Sequence, residues 1–374
     1  MKRDLYTPEQ ESFRATVADF ISRAVVPELS RWESQGYVDP EFFLRAAEQG
    51  LLGSDPRISA DFRFSSILYE ELVAVGATGV AMAMGGFNDL VEPYISRFAT
   101  TEQKLRWLPR LRAGKQLAAL AITESAAGSD LRGIRTVADR DGDSFIVNGS
   151  KTLIGSAGIA GVFIVLVATS PGEFSLLVID KDAPGIVRGP SLAKIGLHSQ
   201  QMGSLEFVDA RVPVSNLLGE EGKALDYLRT NLPQERLVVA LMATASSERM
   251  LRLALDQARS RTIAGRPVGE YQANLFMLAE LATQVEAGRA FIDRCILGFV
   301  NDELSAVEAA MAKLWATEAQ QDIATRSLQI HGGAGYLADH PATREFLDAR
   351  ASTIYAGTSE VMKHIVGRDL LRDY

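Results

Sequence analysis

The stretch that decides the fold class is Val137-Ala138-Asp139-Arg140-Asp141-Gly142-Asp143-Ser144-Phe145-Ile146-Val147-Asn148-Gly149. Two β-prone runs flank Asp141-Gly142-Asp143, and the second run leads directly into Asn148-Gly149. Asp-Gly and Asn-Gly pairs beside such runs are the strongest short-range signals for a hairpin. Further runs rich in β-branched and aromatic residues occur at 163–169, 174–179 and 205–212. The pattern predicts a β region at 117–219, formed as an antiparallel barrel or sandwich.

Helical periodicity lies on both sides of this region. Thr7-Pro8 is typical of a helix start, and an apolar stripe from Phe13 to Val25 follows at helical spacing. No strand signal precedes residue 117, so residues 1–116 are predicted to form a helical domain. Residues 220–374 are predicted to form a second one, whose long helices span 233–259, 271–300, 303–329 and 359–371. The order helices, sheet, helices predicts an α+β fold instead of alternating βα units.

Composition restricts the class of protein. The 374 residues carry a net charge of −8, which argues against nucleic acid as the main partner. No apolar run approaches the roughly 18 residues that cross a bilayer, and no membrane span is expected. One cysteine, Cys295, and four histidines show no metal-ligand spacing. Met1-Lys2-Arg3-Asp4 lacks the apolar core of a signal peptide, which leads us to expect a cytoplasmic protein.

Three loops combine glycine with small or hydroxyl-bearing residues: 123–130, 331–336 and 356–360. Such loops let backbone N–H groups approach a phosphate or a cofactor ring closely. Any one of them could equally be an ordinary helix cap or turn. Three in one chain favour a ligand, but their composition does not say which ligand.

The run Leu232-Pro233-Gln234-Glu235-Arg236-Leu237-Val238-Val239 places a carboxylate in an apolar segment. In a helix, Leu232, Val238 and Val239 share a face with Glu235. Burying an ionised carboxylate costs free energy and raises its pKa. Glu235 is therefore either a functional carboxylate or a glutamate at the end of a stripe, paired with a nearby arginine. Pro233 either begins this helix or kinks it.

At these motifs the chain resembles the acyl-CoA dehydrogenase family, and the resemblance extends from the first helix to the last. It is carried by 121–130, by 261–265 with Tyr271-Gln272, and by 329–333. The resemblance implies an N-terminal helical domain, a middle β-barrel domain and a C-terminal four-helix bundle. It also implies FAD as cofactor, an acyl thioester as substrate, and a homo-oligomer, commonly a tetramer.

The resemblance also implies roles for individual residues. Those expected to contact FAD within the same subunit are Ile122, Thr123, Gly128, Ser129, Leu153, Ile154, Gly155, Thr358 and Glu360. Those expected at the FAD of a neighbouring subunit are Arg261, Gln272, Gln329, Ile330, Gly332 and Gly333. Those expected at the substrate are Ser129, Leu232, Gln234, Arg236, Ala356 and Gly357.

The departures from the family pattern are informative. Ala356 stands where many members have their catalytic Glu, and the isovaleryl-type and long-chain-type branches instead use a Glu on an earlier helix. Their motif matches Glu235-Arg236, so Glu235 is the expected base, with Glu360 as its rival. Gly155 lacks the hydroxyl that usually faces the flavin N5 region, and Ala264 replaces an aromatic residue.

The implied reaction is the α,β-dehydrogenation of an acyl thioester to the trans-2-enoyl thioester. Glu235 would take the α-proton, flavin N5 would accept the β-hydride, and electrons would pass on to an electron-transferring flavoprotein. Three alternatives remain open. They are dehydrogenation of an acyl group on a carrier protein, an oxygen-using oxidase or flavin monooxygenase, and a flavin- or acyl-CoA-binding protein without turnover.

Overall fold

The computed structural model describes residues 3–53 and 56–372. Met1 and Lys2, which belong to the segment considered for a signal peptide, lie outside the described residues. The N-terminal part is helical, with α1 Pro8–Ala24, α2 Leu29–Gln35, α3 Pro40–Glu48, α4 Pro56–Ala60, α5 Phe62–Ala74, α6 Thr78–Gly85, α7 Glu92–Phe98 and α8 Thr101–Arg112. A π-helical turn, Gly86–Val91, joins α6 to α7.

The first helix begins where the sequence predicts. Thr7 accepts a hydrogen bond from the Gln10 backbone, and the Gln10 side chain accepts one from the Thr7 backbone. This reciprocal cap satisfies two donors that the first helical turn leaves free. Phe13 and Val17 are buried on the face that packs against α5. The sequence pattern did not show α2 or the π-helical turn between α6 and α7.

The middle part is one eight-stranded sheet. Its strands are β1 Ala118–Ala121, β2 Val137–Asp141, β3 Ser144–Gly155, β4 Val162–Ser170, β5 Glu173–Asp180, β6 Ile186–Arg188, β7 Met202–Pro213 and β8 Leu217–Leu218. The strand order is β6-β7-β3-β2-β4-β5-β8, with β1 beside β4. The predicted hairpin of β2 and β3 is present, with Asp141 opposite Ser144. The pairs β1–β4 and β2–β4 are parallel, so the expectation of purely antiparallel pairing is wrong for these two.

Strand β4 connects the sheet to the helices. Its residues alternate between two cores, as the two-residue period of a strand requires. Phe163 and Val165 lie in the core of the sheet, whereas Ile164 and Leu166 lie in the large core shared with the helices. Because β1 pairs with β4 and also contacts the π-helical turn, the sheet is held against the N-terminal helices.

The C-terminal part consists of α9 Ala224–Ser260, α10 Gln272–Val300, α11 Ala306–Ile330, α12 Pro341–Ala349 and α13 Ser359–Leu370, with a short hairpin of β9 Thr262–Ile263 and β10 Arg266–Pro267. Helices α9, α10, α11 and α13 pack together, and the predicted fold class is confirmed. The helix predicted to begin at Pro233 instead begins at Ala224. The domain boundaries expected at 116 and 219 stay predictions.

Pro233 lies inside α9, where it removes one backbone hydrogen bond and crowds the preceding turn. The helix continues because residues 234–247 are buried without interruption, so tertiary packing outweighs the local cost. Among the residues that the structure describes, no helix is both long and apolar enough to cross a bilayer. Within the same residues, no group of three His, Cys, Asp or Glu side chains could hold a metal ion.

Candidate active site

A cavity of about 210 Å³ lies where the sheet, the π-helical turn and α9 meet. Its lining residues are mostly apolar or small: Met82, Gly85, Gly86, Leu90, Ala118, Ala119, Leu120, Leu153, Gly155, Ser156, Gln200, Met202, Glu235, Val238, Val239, Met242, Tyr355 and Ala356. Helix α9 contributes Glu235 together with residues three, four and seven positions later, which is one face of a helix. Glu235 is the single carboxylate among the described lining residues.

The Glu235 side chain is buried, with 6% of its surface exposed. The Tyr94 hydroxyl donates a hydrogen bond of 3.0 Å to Glu235 Oε1. Burial raises the pKa of Glu235 to about 7, against the lowering effects of the Tyr94 hydrogen bond and the Arg236 charge. The N-terminus of α9 is three turns away, too distant for its dipole to lower this pKa. A carboxyl group with a pKa near 7 in an apolar cavity can accept a proton at neutral pH.

Arg236 is not the hydrogen-bonded partner of Glu235. Its side chain is buried, and its Nε atom has no hydrogen-bond partner among the described residues. Burial lowers the pKa of this guanidinium. The structure therefore does not show the simple Glu–Arg ion pair that the sequence left open, and Glu235 is held by a neutral hydroxyl.

The loop that carries Ala356 is fixed from behind by a buried cation. Ala356 lines the cavity in the left-handed backbone region, with φ of 55°, and Gly357 follows with φ of 94°. Lys313 Nζ, from α11, donates a hydrogen bond of 2.7 Å to the Gly357 carbonyl. Sequence reasoning missed Lys313. The available signal was a lysine on the otherwise small, buried helix face of Ala309, Ala312 and Ala316.

The end of β3 forms the opposite wall. Leu153 and Gly155 line the cavity, whereas Ile154 is buried in the core of the sheet. Leu153 has a φ of 56°, and 57% of its surface is exposed, which is unusual for an apolar side chain beside a cavity. The Thr152 N–H donates to the Thr123 carbonyl at 2.9 Å. This bond joins β3 to the loop that contains Ile122, Thr123, Gly128 and Ser129.

A buried ion pair holds these two segments together. Lys151 Nζ donates to Glu124 Oε1 at 2.8 Å and to the Ile122 carbonyl at 3.0 Å. Glu124 also accepts hydrogen bonds from the backbone of Arg135 and from the backbone and hydroxyl of Thr136. Burial acts to raise the pKa of Glu124, but the bonds from Lys151 and Thr136 keep it below its ordinary value. Burial lowers the pKa of Lys151 to about 8. Neither role was recognised in the sequence.

Several residues expected at the substrate are not in the wall of this cavity. Leu232, Gln234, Arg236 and Gly357 are absent from its lining, and Ser129 is exposed on its loop. The Gln234 amide is instead bound between Asp89 and Arg97. Contact of these side chains with the substrate stays a prediction, and the position of Gln234 does not support it.

A second set of predicted FAD residues gathers at one end of the helical bundle, away from the cavity lining. Ile330 packs against the cluster formed by Ala254, Ala258 and Leu278. Arg261 and Gln272 lie at the adjoining ends of α9 and α10, and Gln329, Gly332 and Gly333 lie at the end of α11. The structure thus separates this set from the residues around Glu235, as expected if it serves another subunit.

The rival carboxylate, Glu360, lies in a different environment. It is exposed in the first turn of α13, which Thr358 caps through its hydroxyl. Its pKa lies below the ordinary value because the backbone and Thr358 hydrogen-bond to the carboxylate. Among the described residues, Glu360 is not part of the cavity lining. The geometry favours Glu235 over Glu360 as a base.

Comparison with known proteins places this site in a family. Three family models match the chain: the N-terminal domain of acyl-CoA dehydrogenase at residues 7–115, its middle domain at 119–210 and its C-terminal domain at 222–371. The chain belongs to the acyl-CoA dehydrogenase family. Its members are FAD-dependent oxidoreductases that act on acyl-CoA thioesters.

Individual relatives cover nearly the whole chain. The long-chain specific acyl-CoA dehydrogenase of Sus scrofa mitochondria is 38% identical over 99% of this chain and 88% of its own length. The crystal structure of an acyl-CoA dehydrogenase from Geobacillus kaustophilus is 40% identical, with a TM-score of 0.95 over 99% of this chain and all of the other. A prolyl acyl carrier protein oxidase is 28% identical, with a TM-score of 0.91 over 98% of this chain and 99% of the other.

The residues beside the cavity fit FAD. The exposed Leu153 offers an apolar surface that a planar ring can cover, and the loop 122–129 lies next to it through the Thr152–Thr123 bond. Apart from Gly128 and its two chain neighbours, no described atom lies within 4 Å of the point that a Cβ on Gly128 would occupy, so the loop is open to close approach. The family assignment and this geometry agree.

The ion pair of Glu124 and Lys151 leads to a first prediction. In Lys151→Met, Glu124 keeps a buried charge without its cation, which we expect to cost about 3 kcal/mol of stability. The loop 122–129 also loses its connection to β3, so purified protein should hold less FAD per chain. The FAD-to-protein absorbance ratio and the urea midpoint measure both effects. Lys181→Met, at an exposed lysine in the turn after β5, is the control, and equal FAD loss in both variants would contradict the role of the ion pair.

Proposed function

We propose that this protein dehydrogenates an acyl-CoA thioester to its trans-2-enoyl thioester, with Glu235 as the base that removes the α-proton. The observation that carries the proposal is the position of Glu235 as the one carboxylate in the described lining of an apolar cavity. Its pKa of about 7 suits a base that works at neutral pH. The family assignment indicates the class of reaction, and the lining of the cavity indicates Glu235 as the residue that acts as the base.

In this mechanism the protein does three things around the α-carbon. Tyr94 holds Glu235 Oε1, which leaves Oε2 for the substrate proton. Val238, Val239 and Met242 exclude water and keep the carboxylate basic. The Ala356 N–H donates to the thioester oxygen and stabilises the negative charge that develops there, in a loop that Lys313 fixes. Residues 122–129 and 153–155 would hold FAD, which would supply the acceptor for the β-hydride.

The proposal extends to partners. The set at the end of the bundle, which includes Arg261, Gln272 and Gly333, is proposed to contact the FAD of a neighbouring subunit in a homotetramer. An electron-transferring flavoprotein is proposed as the acceptor of the electrons. The cytoplasmic location expected from the sequence stays a prediction.

Replacement of the base is the direct test. In Glu235→Gln the side chain keeps its size but cannot accept the α-proton, so the rate of flavin reduction by acyl-CoA should fall at least about hundredfold. Anaerobic stopped-flow bleaching of the flavin absorbance measures this rate, and the FAD content of the variant should be unchanged. If Glu235→Gln reduces its flavin at the wild-type rate while Glu360→Gln does not, the base is Glu360.

The Glu235→Gln variant should also be more stable than the wild type, and the difference in stability should depend on pH. The pKa of Glu235 is raised from about 4.5 to about 7 by folding, so the folded state holds this proton more tightly. Raising the pH through this range therefore destabilises the wild type, by about 3 kcal/mol once the pH exceeds 7. Glu235→Gln removes this cost. Its thermal midpoint should exceed that of the wild type at pH 8 and should approach it near pH 4.5.

An exposed carboxyl group provides the control for the stability measurement. Glu206 lies on β7 with its side chain exposed. Glu206→Gln should leave the difference between the pH 4.5 and pH 8 midpoints as in the wild type. A Glu235→Gln variant whose midpoint falls at pH 8 would show that the carboxylate is stabilising, and the desolvated base would be excluded.

A carrier-protein substrate and an oxygen-using reaction form the second candidate function. Gly155 faces the cavity without a hydroxyl, and the similar prolyl acyl carrier protein oxidase shows both properties on this fold. The same acyl group is offered on CoA and on a carrier protein, first anaerobically and then with oxygen and no other acceptor. We expect faster flavin bleaching with acyl-CoA and little oxygen consumption. Faster bleaching by the carrier-bound acyl group, or steady oxygen consumption, favours the second candidate.

A further inference from the structure

The π-helical turn Gly86–Val91 places a second buried carboxylate near the base. Asp89, in this turn, has only 2% of its surface exposed. The Tyr69 hydroxyl donates to Asp89 Oδ2, and Gln234 Nε2 donates to Asp89 Oδ1 at 2.9 Å. Both donors are neutral, and no ion pair to Asp89 occurs among the described residues. Turns of this kind are rare and occur often at functional sites.

Gln234 connects Asp89 to the helical turn that carries Glu235. Its Nε2 atom donates to Asp89, and its Oε1 atom accepts a hydrogen bond of 3.1 Å from Arg97. The side chain is therefore fixed at both ends. Because Gln234 and Glu235 are consecutive in α9, holding Gln234 on one side of the helix directs Glu235 towards the cavity on another side.

Asp89 lies outside the lining of the substrate cavity. It lines a separate, more polar cavity of about 430 Å³, together with Glu92, Arg97 and Arg112. A substrate in the cavity of Glu235 would not contact Asp89 there. Asp89 can therefore act on the reaction through Gln234, through its electric field, or through the turn whose residues Gly86 and Leu90 line the cavity.

The charged and titratable groups around Glu235 come from three elements. Tyr94 approaches from α7, Asp89 from the π-helical turn, and Arg236 from α9 itself. The charge of Asp89 raises the pKa of Glu235, because two neighbouring negative charges repel each other, whereas the charge of Arg236 lowers it.

The charge of Asp89 is itself controlled by its neighbours. Burial raises the pKa of Asp89 to about 6, and the hydrogen bonds from Tyr69 and Gln234 keep it from rising further. Glu92 in α7 raises the pKa and Arg97 lowers it. Above pH 6, Asp89 is therefore a buried anion that opposes a second negative charge on Glu235.

We propose that Asp89 is a positioning residue for proton abstraction: it fixes the direction of Glu235 through Gln234, and it places a second buried carboxylate near the proposed base. The inference rests on the proposed role of Glu235 in dehydrogenation. Transfer of the α-proton to Glu235 removes the repulsion between the two carboxylates, which favours the transfer.

The test is the pH profile of flavin reduction in Asp89→Asn, which keeps the size of the side chain and removes its charge. Without the repulsion, Glu235 ionises more readily, so the acidic limb of the profile should move to lower pH by about one unit. The plateau rate should fall by up to about tenfold, because the base is weaker. KM should change less than the limiting rate, since Asp89 does not line the substrate cavity.

Two further variants separate a specific effect from a general one. Tyr69→Phe removes a donor that stabilises the charge of Asp89, and it should shift the limb in the same direction by a smaller amount. Glu92→Gln removes a buried carboxylate that is bound to Arg112 and Ser96 in the same region. Glu92 is not among the groups that directly shift the pKa of Glu235, and its removal favours the ionised form of Asp89, so the acidic limb should not move to lower pH in this variant.

The outcomes are distinguishable. An Asp89→Asn protein that is folded and holds FAD, yet keeps the wild-type limb, overturns the inference. An equal shift of the acidic limb in Asp89→Asn and in Glu92→Gln also overturns the inference. If Asp89→Asn does not fold, an unshifted limb in Tyr69→Phe overturns it instead. Failure of the proposed function is a separate result, because it requires Glu235→Gln to reduce its flavin at the wild-type rate.

Discussion

The structure depends on keeping one carboxylate ionisable while removing it from water. Burial of Glu235 in the middle of α9 opposes its charge, and the hydrogen bond from Tyr94 partly offsets that effect with a neutral donor. A cation at the same place would lower the pKa by a unit or more and weaken the base. Burial therefore leaves the pKa of Glu235 near 7, because the Tyr94 hydroxyl and the charge of Arg236 lower it only in part.

The contacts that support this carboxylate come from distant parts of the sequence. Tyr94 and Glu235 are 141 residues apart, Lys313 and Gly357 are 44 apart, and Glu124 and Lys151 are 27 apart. Each contact holds a residue or loop at or beside the cavity from behind, and each includes a side chain that is almost completely buried. Because the wall is assembled from three separate regions of the chain, these buried polar contacts help to fix the spacing between the proposed base and the opposite side of the cavity.

Local sequence patterns predicted most of the helices and strands. The predictions failed where packing between distant residues determines the structure. The hairpin around Asp141-Gly142 and the cap at Thr7 follow from neighbouring residues, and the sequence predicted both. The start of α9 was misplaced because Pro233 is a helix-starting signal, and only the burial of the whole segment overrides it. The carboxylate of Glu235 was visible as a misfit on an apolar stripe. Its partner Tyr94 was not, since no local pattern relates residues so far apart.

The groups that support the proposed thioester site differ in charge from those that hold the proposed base. Lys313 is directed to the carbonyl of Gly357, behind the loop whose N–H is proposed to bind the thioester oxygen. Among the described residues, the hydrogen bonds to the carboxylates of Glu235 and Asp89 come from neutral donors, namely Tyr94, Tyr69 and Gln234. A cation therefore supports the loop that is proposed to face the developing negative charge, and hydroxyl and amide groups hold the two carboxylates, while the charge of Arg236 beside Glu235 only partly offsets the effect of burial. An ammonium group hydrogen-bonded to Glu235 would stabilise its ionised form and make it a weaker base. A neutral donor in place of Lys313 would give the developing enolate less support. The observed placement of the cation and the neutral donors therefore favours the proposed removal of the α-proton.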